Sequence, residues 1–215
     1  MKTTSSEDYW NRESSDFSKI YSHEKSWIGN TIDRIFRQDM YQRYVMTLKS
    51  CEPVKDRAFL DIGCGNGLYS IELAQRGAGK VIGLDISENM LTLAKENSKN
   101  AGTSSIITFK KGDVLKMEIQ DIFDISFAVG FFDYVKDPLP LLNKMKSISR
   151  DKVIATFPRK WSTRPLHRKP RLCLKGCPVY FFSKKKIEEM SASAGFSSCN
   201  IQKVGKLYFA VFHAK

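Results

Sequence analysis

An α/β fold with a doubly wound, mostly parallel sheet is the class this sequence predicts, and three observations predict it. Short apolar runs alternate with helix-period segments from Ala58 to Gly195. A glycine-rich turn, Gly63-Cys64-Gly65-Asn66-Gly67, follows the first of those runs directly. The last two apolar runs have no helix between them, so they read as a hairpin that makes one end of the sheet mixed. The expectation is a seven-stranded sheet with an antiparallel C-terminal hairpin strand, preceded by N-terminal cap helices.

The elements follow in order. In the first fifty residues Trp27, Thr31 and Ile35, then Tyr41, Tyr44, Val45 and Leu48, recur at helical spacing, and Glu52-Pro53 ends the pattern. Residues 1–52 are therefore read as a helical cap and 53–215 as the main domain. Ala58 to Ile62 is a short buried strand, and Leu68 to Gln75 a helix stopped by Gly77. Val81 to Leu84 is the second strand, and Ser87 can N-cap the helix after it. Ile106 to Phe109 and Ile122 to Val129 are further strands. Asp137-Pro138 opens a helix, with the carboxylate as cap and proline in the first turn. Val153 to Phe157 is another buried strand, Ser183 caps a helix ending at Gly195, and strands around Asn200-Ile201 and Leu207 to Phe212 close the chain. Read this way, strand and helix alternate five times.

At 215 residues, 42% of them hydrophobic, the chain can bury a substantial core. The formal charge of +12 is local: Lys152 to Ile187 holds eleven Lys or Arg and no acidic residue, and elsewhere the two signs nearly balance. No apolar stretch reads as a secretory signal or transmembrane segment, since the longest uncharged run, Ile125 to Phe132, is far too short. The five cysteines are scattered and odd in number, which argues against a disulfide framework and for a reducing, cytoplasmic setting. Cys173 and Cys177 lack two further ligands at suitable spacing, so no metal site is expected.

Glycines let a backbone turn sharply and approach a ligand closely, at the point where a doubly wound sheet leaves a crevice. A nicotinamide fingerprint spaces them G-x-G-x-x-G, with a pyrophosphate at the helix N-terminus. Here the third glycine comes one residue early, and Asp61 sits inside the strand end. That carboxylate would repel a pyrophosphate and suits the ammonium of an amino acid. Asp85, at the end of the second strand, can accept hydrogen bonds from both ribose hydroxyls. Asp113, beyond the third strand, can accept from an adenine amino group. Taken singly, Asp85 also reads as a helix cap and Asp113 as a turn residue; three acidic residues at successive strand ends beside a glycine loop favour a cofactor site.

Asp61-Ile62-Gly63-Cys64-Gly65-Asn66-Gly67, then Gly83 to Leu91 in the pattern G-x-D-x-S-x-x-M-L, then Gly112-Asp113-Val114, resemble the class I, Rossmann-like methyltransferases that use S-adenosylmethionine. The resemblance runs strongly from Asp56 to Phe157. It implies that Asp61, Gly63 and Gly65 surround the methionyl part of the cofactor and that Asp85 holds its ribose. Ile86 and Met90 would flank the adenine, and Asp113 with Val114 would read its edge. Val129, with Gly130, would line the surroundings of the methyl group, and Tyr21 is the candidate for an N-terminal tyrosine closing over the cofactor.

Methyl transfer is an in-line displacement, in which the protein chiefly aligns the reacting atoms and excludes water. A general base is required only when the nucleophile must lose a proton. Gly130 to Pro138 lacks the N/D-P-P-Y/F tetrad of enzymes that methylate exocyclic or amide nitrogens. Tyr134 stands where many similar small-molecule enzymes carry a histidine. It can orient a substrate hydroxyl or simply cover the cofactor, and with a reference pKa of about 10 it is a poor base. Residues 158–182 form a basic loop holding four of the chain's seven prolines, with Arg159, Lys160, Arg164, Arg168, Lys169 and Arg171 near Trp161 and Tyr180. It follows the fifth strand, on the rim of the crevice, and can be a solvated surface loop or a grip for an anionic, partly aromatic or lipid-like substrate. His167, with a reference pKa of about 6.5, is the candidate base. The leading expectation is an O- or N-methyltransferase of a small anionic molecule. An RNA methyltransferase whose loop tracks phosphates comes second, and a non-catalytic binder of S-adenosylmethionine third.

Overall fold

The computed structural model describes residues 32–160 and 179–214. Tyr21, Trp161, Arg164, His167, Arg168, Cys173 and Cys177 lie outside the described residues.

The strands are β1 (Ala58–Ile62), β2 (Lys80–Asp85), β3 (Ile107–Lys111), β4 (Phe123–Ala128), β5 (Ser149–Pro158), β6 (Ser198–Val204) and β7 (Leu207–His213). They form one sheet in the order β3-β2-β1-β4-β5-β7-β6. The pairs among β1 to β5 are parallel; β7 runs antiparallel to both β5 and β6. The order reverses direction between β1 and β4, which opens the ligand crevice of a doubly wound sheet beyond their carboxyl ends. The helices are α1 (Ile32–Ser50), α2 (Leu68–Gln75), α3 (Glu88–Asn100), α4 (Leu139–Ser147) and α5 (Lys184–Ser193).

Local chemistry explains the helix ends. The Ser87 and Ser183 hydroxyls accept from the amides of Met90 and Lys186, capping α3 and α5. After α2, Gly77 takes φ 88°, its amide donates to Ala74 and that of Ala78 to Leu73, a Schellman stop. At α4 the helical backbone begins at Pro138, and Asp137 accepts from Leu139 N at 3.3 Å.

Two expectations change. Strand and helix alternate four times, because β3 reaches β4 without a helix between them. That link must pass two intervening strands, about 14 Å at 4.8 Å per step, and also return along the strand axis. The residues between Lys111 and Phe123 make one turn, with the Lys116 and Met117 amides on the Asp113 carbonyl, and otherwise span this distance without a helix, which would advance only about 1.5 Å per residue. The buried stripe of α1 is also rotated from the expected one. Tyr41 and Val45 are exposed, whereas Thr47, Leu48 and then Cys51 are buried against Phe59, Phe127 and Phe209 of the sheet. Thr47 tolerates burial because its hydroxyl donates to the Arg43 carbonyl at 2.8 Å.

Apolar side chains fill both sheet faces. One layer joins Leu60, Ile62, Leu84, Phe123, Phe132, Phe157 and Phe212 to α4 and α5; the other joins Phe59, Val81, Ile125 and Ile154 to α1 and α2. This double covering explains why the parallel strands read as continuous apolar runs. Among the described residues no helix is long and apolar enough to cross a membrane.

Candidate active site

The glycine loop leaves β1 and is fastened to the end of β2. The amides of Gly63 and Cys64 donate to the Leu84 carbonyl at 2.8 and 3.0 Å. Gly63 and Gly65 hold φ of 72° and 54°, in the region that favours glycine. At Gly63 a second constraint applies: a Cβ there would lie 2.5 Å from Cδ2 of Phe131. The ring following β4 therefore rests directly on the loop, over a spot where only glycine fits. Gly83, inside β2, likewise makes room for Phe109 and the Cys64 sulfur.

Asp85 ties this corner together. Its carboxylate accepts from Gly65 N and from Ser87 N, both at 2.9 Å. Burial raises its pKa, and the backbone donors Ser87, Gly65 and Ile86 pull it back. Two protein donors leave acceptor capacity on a carboxylate with about four lone-pair positions. Asp61 lies deeper. It is 2% exposed and accepts from the Ser70 hydroxyl of α2 at 2.8 Å. Burial pushes it up to about 7, and the charge of Asp85 adds to the rise, while Ser70 opposes it. A cation arriving beside Asp61 would keep it ionised.

The adenine-side residues divide. Ile86 is half-buried, whereas Met90 and Val114 are buried. The carboxylate of Asp113 accepts from Leu115 N at 3.0 Å, the turn geometry that was one of its two readings. Val129 is half-buried at the end of β4, and the Gly130 amide donates to the Thr156 hydroxyl of β5 at 2.7 Å. A single 3₁₀ turn (Phe132–Tyr134) follows, with Tyr134 half-buried and Asp133 buried.

The basic segment begins and ends at this turn. Lys160 N donates to the Phe182 carbonyl at 2.9 Å and Phe182 N to the Pro158 carbonyl at 2.8 Å. Tyr180 N donates to the Asp133 carbonyl at 2.8 Å. Both roots of residues 161–178 thus stand beside the turn that follows β4. From α1, Arg43 reaches the same strand end: its Nη1 lies 3.1 Å from where a Cβ on Gly130 would be.

Two nearby groups are poor bases. Burial, then the hydrogen bond to Glu72, pushes the Tyr44 hydroxyl up to about 12. Burial also holds the Cys64 thiol well above its ordinary value.

Residues 53–195 match the family described as a methyltransferase domain, which is more than half of the chain. The chain belongs to that family. This methyltransferase is of the class I type, and family membership carries its cofactor, S-adenosylmethionine, with it. It is 29% identical over 119 residues to a tRNA U34 carboxymethyltransferase of Actinobacillus pleuropneumoniae; the match takes in 55% of this chain and 37% of that protein. The methyltransferase thus spans well under half the length of the curated relatives it matches. Its fold is that of magnesium protoporphyrin IX methyltransferase from Synechocystis PCC 6803 with bound SAH, at TM-score 0.76 and 20% identity over 96% of both chains. It is also that of phosphoethanolamine N-methyltransferase 2 from Haemonchus contortus, solved with phosphomonomethylethanolamine and S-adenosylhomocysteine. The TM-score there is 0.71 and the identity 21%, over 92% of this chain and 46% of that one.

The residues present fit the cofactor. The glycine loop admits a close approach, Asp85 retains acceptor capacity for a diol, and Asp61 is a buried carboxylate that a cation would stabilise. Sequence reasoning did not single out Phe131, Thr156 or Arg43. Phe131 and Thr156 have no local signature, because what marks them is contact across the sheet. Arg43 had one available signal: it lies four residues before Thr47, on the stripe of α1 that faces the sheet.

Proposed function

We propose that this methyltransferase transfers a methyl group to an oxygen or nitrogen of a small anionic metabolite or lipid-like acceptor. The observation that carries the proposal is the rooting of the basic segment. Its two described ends are hydrogen-bonded to each other and to the turn after β4, which supports a place for the segment on the acceptor side of the crevice. The Haemonchus neighbour, whose ligand bears a phosphate, is in keeping with an anionic acceptor.

In this reading each site residue has one task. S-adenosylmethionine, when bound, supplies a methyl carbon activated by the neighbouring sulfonium. Asp61 faces the cofactor's ammonium while Gly63 and Gly65 let its methionyl part lie close to the backbone. Asp85 accepts from the ribose hydroxyls. Ile86 and Met90 flank the adenine, and Asp113 with Val114 borders its edge. Val129, Gly130 and the Phe131 ring wall off the methyl group's surroundings from water. Tyr134 orients the acceptor, and His167 takes a proton when the nucleophile must lose one. Tyr21 closes over the cofactor.

A second reading, an RNA substrate whose phosphates the basic segment tracks, is favoured by the tRNA-modifying relative. One experiment separates the two. The purified protein is incubated with methyl-labelled S-adenosylmethionine and a cell extract split into small-molecule, lipid, RNA and protein fractions. Label in the metabolite or lipid fraction supports the proposal, and label in RNA overturns it in favour of the second. Cofactor binding with no label anywhere favours a non-catalytic binder.

A further inference from the structure

We propose that Arg43 is an acceptor-binding residue whose guanidinium holds an anionic oxygen, carboxylate or phosphate, of the molecule to be methylated. The inference rests on the methyltransferase reading above and names the residue that would select its acceptor.

The argument begins with α1. Its second half is locked to the sheet by Leu48 and Cys51, both buried against β-strand side chains, and by Tyr44, whose hydroxyl donates to Glu72 of α2 at 3.0 Å. The Tyr44 ring also packs on Tyr69 at 5.5 Å. At its end, Lys152 Nζ near the start of β5 reaches the Ser50 carbonyl at 3.4 Å. The helix therefore runs from the carboxyl ends of the strands, the rim where the crevice opens, down to their amino ends. Arg43 lies one turn above Thr47 and two above Cys51, on the same sheet-facing stripe. A cation on that stripe is placed by the helix and not left to roam in solvent.

Its destination is specific. The guanidinium lies over Gly130, with Nη1 3.1 Å from the position of a Cβ there. Gly130 has φ 77°, and its amide is held by the Thr156 hydroxyl. A side chain at residue 130 would be strained and would press on the guanidinium. The post-β4 backbone is thus bare at the one point where Arg43 crosses it. Phe131, the next residue, covers Gly63 of the cofactor loop. Arg43 therefore lies over the residue next to the ring that covers the cofactor loop, at the strand end whose following turn also holds Tyr180 at the root of the basic segment. A planar guanidinium with fixed donors suits bidentate capture of a carboxylate or phosphate, which a lysine matches poorly.

The test uses the full chain loaded with S-adenosylhomocysteine, wild type, Arg43→Met and Arg43→Lys. Benzoate, inorganic phosphate and neutral benzamide are titrated into each by calorimetry, with cofactor affinity and Tm recorded alongside. The expected result is saturable binding of at least one anion by the wild type, at least tenfold weaker in Arg43→Met and intermediate in Arg43→Lys. Benzamide should not bind measurably, and cofactor affinity should stay within about twofold. Equal anion binding by wild type and Arg43→Met overturns the assignment, as does failure of both anions to bind the wild type. The methyltransferase reading is judged separately, by transfer of labelled methyl to the extract fractions, so the two can fail independently.

Discussion

The two halves of the crevice are built by different means. On the side of β1 and β2, two adjacent strand ends are tied directly to each other: the Leu84 carbonyl takes the Gly63 and Cys64 amides, and the Asp85 carboxylate takes those of Gly65 and Ser87. On the side of β4 and β5, the pieces come from distant parts of the chain: the Arg43 guanidinium lies over Gly130, the Thr156 hydroxyl takes the Gly130 amide, and the Tyr180 amide donates to the Asp133 carbonyl. A ligand that never changes can be met by one closely tied corner of the sheet. An acceptor that differs between enzymes of one fold is met by side chains on rims and loops, which can change without disturbing the sheet.

The sharpest way to break this comparison is at the point where the halves touch. Gly63→Ala combines a left-handed φ with a Cβ 2.5 Å from the Phe131 ring. The conformational cost alone is about 1–2 kcal/mol, and Phe131 must move as well. Cofactor binding should fall by roughly a hundredfold and Tm should drop. Calorimetry showing near-normal affinity would mean that the loop and the ring do not act as one unit.

Next in size is Asp85→Ala. The substitution removes the proposed diol acceptor and leaves the Gly65 and Ser87 amides without their carboxylate. Affinity for S-adenosylmethionine should weaken by tenfold or more, since hydrogen bonds to charged groups contribute about 1.5–3 kcal/mol each. A folded variant with unchanged affinity would reassign Asp85 to holding the Gly65 and Ser87 amides alone.

These first two targets were legible in the sequence because their signals are local. The spacing of Gly63, Gly65 and Gly67, the acid at the end of β2 and the Ser87 cap all lie within short windows. The boundaries of α2 were legible for the same reason, with a Schellman glycine directly after the helix. The count of five alternations fell to four because the link from β3 to β4 depends on strand order, which no window reveals. The face of α1 failed because its period does not say which stripe the sheet will take. Tyr41 and Val45 look as apolar as Leu48, yet they stay outside once Thr47 satisfies its own hydroxyl.

Asp61 offers a graded test of the cofactor half. Its folded-state value of about 7 lies above the ordinary carboxylate range, so the folded protein holds a proton that the unfolded chain has released. The stability associated with that proton is full at acid pH and is lost as pH rises from about 4 to about 7. Asp61→Asn should therefore raise Tm at pH 8 and bring little change at pH 4. Binding of the cofactor's ammonium needs the ionised form, so wild-type affinity should be about tenfold lower at pH 6 than at pH 8. The Asn variant carries the ligand's own titration without that of Asp61 and separates the two. Parallel pH profiles for both proteins would detach Asp61 from the ammonium.

The smallest expected effect sharpens the other half. If the basic segment selects anionic acceptors, Arg164→Ala combined with Arg168→Ala should raise the acceptor KM by roughly three- to tenfold, the loss of one or two charge-assisted contacts. Cofactor affinity and kcat should hold, because neither residue belongs to the loop that the Leu84 carbonyl and Asp85 fasten. A rise confined to KM marks binding lost equally from ground and transition states. Equal kinetics would make the segment a solvated surface. A fall in cofactor affinity instead would join the two halves of the crevice through the segment, and the division between a side tied at adjacent strand ends and a side assembled from distant parts would no longer hold.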